Sequence, residues 1–117
     1  MKQEERKLLL TDLCGRIPYN TKVLFVYSDG TSETSEMGLG GLHDIRVGDA
    51  EGKPFLRPMS SMSKVEKQDY AYITERWMYD AEHTISESID WLNERHFDHR
   101  GLIGMGLALE APEGMYE

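Results

Sequence analysis

A chain of 117 residues, 39% of them apolar, has room for one hydrophobic core, so residues 1–117 read as a single domain. A net charge of −8 repels a phosphate backbone and argues against direct nucleic-acid binding. The single cysteine, Cys14, excludes an intramolecular disulfide and points to a reducing, cytoplasmic setting. No run approaches the roughly 20 apolar residues of a membrane span, and an opening with Glu4 and Glu5 does not read as a signal peptide.

The first element is a helix over about 3–14. Leu10, Leu13, Cys14 and Ile17 fall on one stripe, which Leu9 widens. Gly15 stands at a stop position and Pro18 marks the break. Cys14 on that stripe reads as a small buried hydrophobe, since no neighbouring group in the sequence would activate it as a catalytic thiol.

Val23–Tyr27, β-branched and aromatic, suits a strand, and Asp29-Gly30 suits a hairpin turn. The returning stretch 31–37 is polar and belongs at a sheet edge. Gly38-Leu39-Gly40-Gly41 lacks both the Lys-Ser/Thr of a phosphate loop and the spacing of a dinucleotide turn, so it reads as a connection or bulge. Residues 43–47 and 54–57 read as strands around a turn at 48–53, with Pro54 confining the second to an edge or a strand start. The middle of the chain is then a small antiparallel sheet of three to four strands.

Ser63-Lys64-Val65-Glu66 is a capping box opening a helix whose apolar side carries Val65, Tyr72, Ile73 and Trp77. Thr84 and Glu87 form a second such box, opening a helix over about 84–96 with Ile85, Ile89, Leu92 and His96 in line and Trp91, a core residue, beside them. The stretch 74–83 fits either a continued helix or a loop. Glycines at 101, 104 and 106 exclude a good helix in the tail, where 107–109 reads as a short strand or an extended arm. The fold class is therefore α+β: an N-terminal helix, the small sheet, two C-terminal helices and an extended C-terminal arm.

In "RHFDHR", residues 95–100, His96, Asp98 and His99 offer lone pairs to a divalent ion, and His43 with Asp44 could join them. A small metal-dependent hydrolase is the alternative that follows. The spacing does not build a preformed site, because the helix ends near Asp98 and Gly101. At a helix C-terminus His and Arg instead complement the dipole. Ser60, Ser61 and Ser63 lack a nucleophile elbow, and Glu66 competes with any anion at the helix start. No catalytic residue, cofactor or metal is assigned.

Residues 75–98 hold seven acids against Arg76 and Arg95, and after Arg100 only acids follow. Such a face is either merely solvated or meets a basic partner, in one version by imitating DNA. Phe97, Arg100, Met105, Leu107, Leu109 and Met115 are the candidate partner-binding residues, being anchor types or apolar residues of the glycine-separated tail.

Three strings, "PFLRPMSSMS", "IDWLNERHFDHRGLI" and "GLALEAPEGMY", occur in that order. They resemble a family of short proteins of gut Bacteroidetes and of their phages and prophage-like elements, in which the strings look like PYLRPMSSM, DWLN with FDYRGLI, and GLALEAPEGMY. The resemblance covers roughly residues 53–70 and 89–116 and finds no counterpart for 28–52. Phe55 and His99 stand where that family commonly has Tyr, which weighs against a metal ligand at 99. The resemblance implies a mobile-element context and no activity, cofactor or substrate. The expectation is a non-enzymatic cytoplasmic accessory protein that binds a protein partner. Edge strands at 31–37 and 54–57 could also pair two copies across a two-fold axis.

Overall fold

The computed structural model describes residues 2–116, and the backbone alone at Trp77 and Met78. The order is helix α1 (Gln3–Arg16), strands β1 (Lys22–Tyr27) and β2 (Ser32–Glu36), helix α2 (Leu39–Val47), strand β3 (Ala50–Leu56), helices α3 (Lys64–Thr74) and α4 (Ala81–Glu94), and strand β4 (Leu109–Glu110). The α+β reading holds, with the N-terminal helix, the sheet and then the helical pair in the expected order. The sheet order is β2-β1-β3-β4. The first three strands are antiparallel, whereas β4 runs parallel to β3, with Phe55 opposite Leu109 and Leu56 opposite Glu110.

Helix α1 runs through Gly15, because Asp12 and Arg16 continue it as a buried ion pair one turn apart. Leu9 and Leu13 face the core, but Cys14 is exposed, so the buried stripe is rotated from the one expected and takes in Asp12 and Arg16. Gly15 has another use. A Cβ there would lie 3.0 Å from Asn93 Nδ2, so the glycine lets α1 approach α4.

The expected hairpin is present, with Gly30 at φ 87 and polar β2 at the edge. The segment 39–47 departs from expectation: it is a helix, not a connection followed by a strand. Alternation in His43–Val47 imitates a strand, yet Leu42 and Ile45 are one turn apart and pack on the core. Gly48, at φ 86, ends the helix in the left-handed conformation glycine adopts without strain. The turn expected at 48–53 is instead most of β3. Its inward positions are Ala50, Gly52, Pro54 and Leu56. The small residue at 52 is required, since a Cβ would come within 2.4 Å of Ile45 Cδ1. On the side where β4 joins only at Phe55, β3 is still an edge at Pro54, as its missing N–H demands.

The main core unites Leu9 and Leu13 of α1, Val23 and Phe25 of β1, Ile45 of α2, and Leu56, Leu102 and Leu107. A smaller cluster of Trp91, Leu92 and Phe97, flanked by Met62, Tyr70 and Ile73, holds α3 and α4 together. The Ser63 capping box forms as expected. Thr84 is not a cap but lies inside α4, whose cap is Asp80, accepting from the His83 N–H. A short 3-10 turn over Glu75–Met78 fills much of the undecided stretch between the helices. The Trp77 side chain, expected on the apolar side of α3, lies outside the described residues. Ile85 and Ile89 are exposed, contrary to the expected stripe, and α4 buries Thr84, Ser88, Trp91, Leu92 and Asn93 instead.

Two adjacent glycines in α2 are predicted to respond oppositely to alanine. Gly40 has open space around it, whereas a Cβ on Gly41 would sit 2.6 Å from Phe25 Cζ. In urea unfolding, Gly40→Ala should stabilise by about 0.5 kcal/mol. Gly41→Ala should destabilise by about 1–3 kcal/mol through overpacking against a buried ring.

Candidate functional site

The three motif strings meet in space at the end of β3. The Arg57 N–H donates to the His96 carbonyl at 2.7 Å, and the Arg57 carbonyl accepts from the Asp98 N–H at 2.8 Å. This single parallel bridge pins the segment that follows α4 beside the sheet. The Arg57 guanidinium lies 4.2 Å over the Phe97 ring and donates to both oxygens of Glu66, at 2.8 and 2.6 Å. Glu66 also accepts from the Ser63 N–H at 3.0 Å, while Ser63 Oγ accepts from the Glu66 N–H at 3.1 Å. The capping box is thus tied to the sheet by a bidentate ion pair. Arg57 is the main reason the Glu66 carboxyl is held down to about 2.

Helix α4 ends in a left-handed turn at His96, φ 65, a conformation that His and Asn adopt more readily than most residues. The turn buries the imidazole. Its Nδ1 lies 2.9 Å from Thr21 Oγ1, and its ring stacks on Tyr116 with centroids 3.7 Å apart. Burial, then the charges of Arg16 and Arg57, push its pKa down to about 4. The Tyr116 hydroxyl donates to the Phe55 carbonyl at 2.7 Å and accepts from the Lys22 N–H at 2.9 Å, fastening the end of the chain across β1 and β3. Burial raises the Tyr116 pKa.

The expected metal candidates turn to separate partners. Both Asp98 oxygens accept backbone N–H groups, from Leu102 at 2.8 Å and Ile103 at 2.9 Å. His99 Nε2 donates to Asn93 Oδ1 at 2.8 Å, and burial lowers its pKa. His43 and Asp44 lie on α2 rather than in the sheet. Among the described residues no group of three or more His, Cys, Asp or Glu side chains is placed to hold a metal ion.

Beside this junction is a groove of about 480 Å³. It is lined by Ser61, Ser63 and Glu66, by Glu110, Glu113 and Tyr116, and by Arg57 with four small or cyclic residues (Pro58, Ala111, Pro112 and Gly114). Its one cation is committed to Glu66, which also occupies the positive end of α3, so the serine corner is closed to an anion. The Ser61 hydroxyl donates to the Pro58 carbonyl at 2.6 Å. Glu110 and Glu113 are exposed and stand in no ion pair among the described residues. The groove therefore offers acceptors and unneutralised negative charge.

Of the expected partner-binding residues, Phe97 and Leu107 are core residues and cannot meet a partner without unfolding. Arg100 lies 3.7 Å from the Asp12 carboxylate, and Leu109 and Met115 are half-buried. Met105 is exposed and lies outside the groove. Sequence reasoning missed Arg57 and Tyr116, and it placed Glu110 and Glu113 only in a general acidic face that is either solvated or meets a basic partner; the motif strings contain all four. Comparison with known proteins finds no matching family model, no matching curated protein and no matching solved structure.

Two outcomes follow for stability. Ser63→Ala should lower the unfolding free energy by about 1 kcal/mol, the usual worth of an N-cap. His96 is neutral when folded and has a pKa near 6.5 when unfolded. Its contribution is therefore full above pH 6.5 and is lost as pH falls toward about 4. The melting temperature should drop across that window. His96→Asn, which tolerates the same backbone, should flatten the drop, leaving the part due to His99.

Proposed function

We propose that this chain is a small non-enzymatic accessory protein of the cytoplasm, from a phage or mobile-element setting, whose C-terminal groove holds a basic segment of a protein partner. The observation that carries the reading is the charge state of the groove. Arg57 is fully engaged by Glu66, while Glu110 and Glu113 face the same space without a counter-ion among the described residues. A Lys or Arg side chain supplies the missing charge and donors, and Pro58 and Pro112 offer apolar contact to its stem. The resemblance adds support. Tyr is common in that family at the position of His99, and a phenol, like the imidazole, can donate to Asn93 Oδ1.

The test must use point substitutions. Removing residues 102–117 would strip Leu102 and Leu107 from the core and destroy the fold being tested. A fluorescent Lys/Arg-rich peptide is the probe, titrated against the wild type and Glu110→Gln/Glu113→Gln. Loss of two partly solvated charge contacts of about 0.5–1 kcal/mol each should weaken binding about 5–30-fold, with the melting temperature unchanged. Equal binding by both proteins would remove the groove from the function.

A further inference from the structure

A second surface of this acidic chain carries free positive charge beside apolar side chains. Between α1 and α2 runs an apolar groove of about 510 Å³ with Leu10, Cys14 and Leu42 in its floor and Arg6, Lys7 and Arg46 along its rim. Leu39, 75% exposed, follows the same face of α2. Arg16, Arg57, Arg76, Arg95 and Arg100 each lie beside a carboxylate. The three rim cations have no such partner among the described residues.

The complementary surface is on the same chain. Helix α3 buries none of its residues. On α4, Ile85 is 55% exposed, Ile89 is also exposed, and Glu82 and Asp90 flank them on the solvent side. An acidic helix with an uncovered isoleucine stripe is what a basic-rimmed apolar groove recognises.

We propose that the α1–α2 groove receives the α3–α4 hairpin of a second copy of this chain, with α4 seated on Leu10 and Leu42. Pairing like with like is disfavoured, since hairpin on hairpin sets Glu82 and Asp90 against acids and groove on groove sets cations against cations. The contact is therefore head-to-tail, leaving one groove and one hairpin free on every assembly that does not close into a ring. It uses neither Glu110 nor Glu113, so it stands or falls separately from the partner groove.

Sedimentation velocity on the whole chain tests it. In about 0.05 M salt the mass should rise with protein concentration, and in about 1 M salt, where the Debye length is about 3 Å, association should weaken about 10-fold or more. Lys7→Glu/Arg46→Glu spoils the groove and keeps the hairpin; Ile85→Asp spoils the hairpin and keeps the groove. All three positions are exposed, and each variant alone should be monomeric. Mixed in equal amounts they should form a heterodimer and stop there, because the second contact would set an acidic groove against an acidified hairpin. That rescue also shows that both variants are folded. The proposal is overturned if the wild type stays monomeric to about 1 mM, the weak limit of specific association. It is equally overturned if either variant still assembles alone or if the mixture remains monomeric.

Discussion

Arg16 is the constraint around which the rest is arranged. Its side chain is wholly buried, and a buried guanidinium costs several kcal/mol unless its N–H groups are paired. Asp12 accepts two of them, at 2.7 and 3.1 Å, from one turn earlier on α1. The third bond, 2.7 Å to the Phe97 carbonyl, crosses from the first helix to the segment after the last. That carbonyl is in place because Phe97 bridges Arg57, and Arg57 is in place because Glu66 grips it from the capping box. One buried cation therefore links α1, the end of β3, the start of α3 and the end of α4. Its charge also acts on the neighbouring imidazoles. With burial, it keeps His96 and His99 neutral, which makes the junction sensitive to acid.

What the sequence made legible was local. The Ser63 capping box involves residues three apart, and the Asp29-Gly30 turn residues two apart, where the Asp29 carboxylate accepts from the Thr31 N–H at 2.9 Å. Both reproduce rules that need no tertiary information. Helix α2 was missed because its residues alternate over a short stretch and because glycines at 40 and 41 argue against a helix start. Gly48 was the available signal for a helix end. Strand β3 was missed because Gly52 and Pro54, ordinarily breakers, fill inward positions, and at Gly52 Ile45 leaves no room for a Cβ. Asp12 and Arg16 have the spacing of a surface pair, and only the fold shows them buried. Phe97 has the same lesson in reverse: an aromatic residue between charged neighbours resembles an interface anchor, yet it is the centre of the second core.

Electrostatics separates the junction from the groove beside it. Most of the charged and polar groups of the junction hold three chain segments together, although Arg16 Nη1 is buried with no hydrogen-bond partner among the described residues. Thr21, His96 and Tyr116 form a stacked and hydrogen-bonded unit that closes over β1, and Asp98 caps the turn leading to Leu102. Glu110 and Glu113 differ because β4 and the turn after it set them beside the groove with no structural task. The resemblance strings thus contain two kinds of residue, those that build the corner and those that the corner presents.

The two cores also divide the molecule mechanically. It is 50 Å long and only 29 by 23 Å across. The main core spans α1, the sheet, α2 and the tail, whereas the hairpin rests on Trp91, Leu92 and Phe97 with Tyr70 and Ile73 laid against them. A tilted contact of Tyr70 with Trp91 and the stacking of Trp91 on Phe97, with Arg95 over the indole and Arg57 over Phe97, supply much of what α3 has to hold it. The exposed Arg76–Glu87 pair closes the far end and adds little in water. A helix with no buried residue opens at lower free energy than the sheet it is tied to. Its N-terminus is the better-held end, since Ser63 and Glu66 are anchored through Arg57. The capping box ties that end of α3 to the sheet through the Arg57–Glu66 pair, whereas the distal end has, among the described residues, only the exposed Arg76–Glu87 pair to close it.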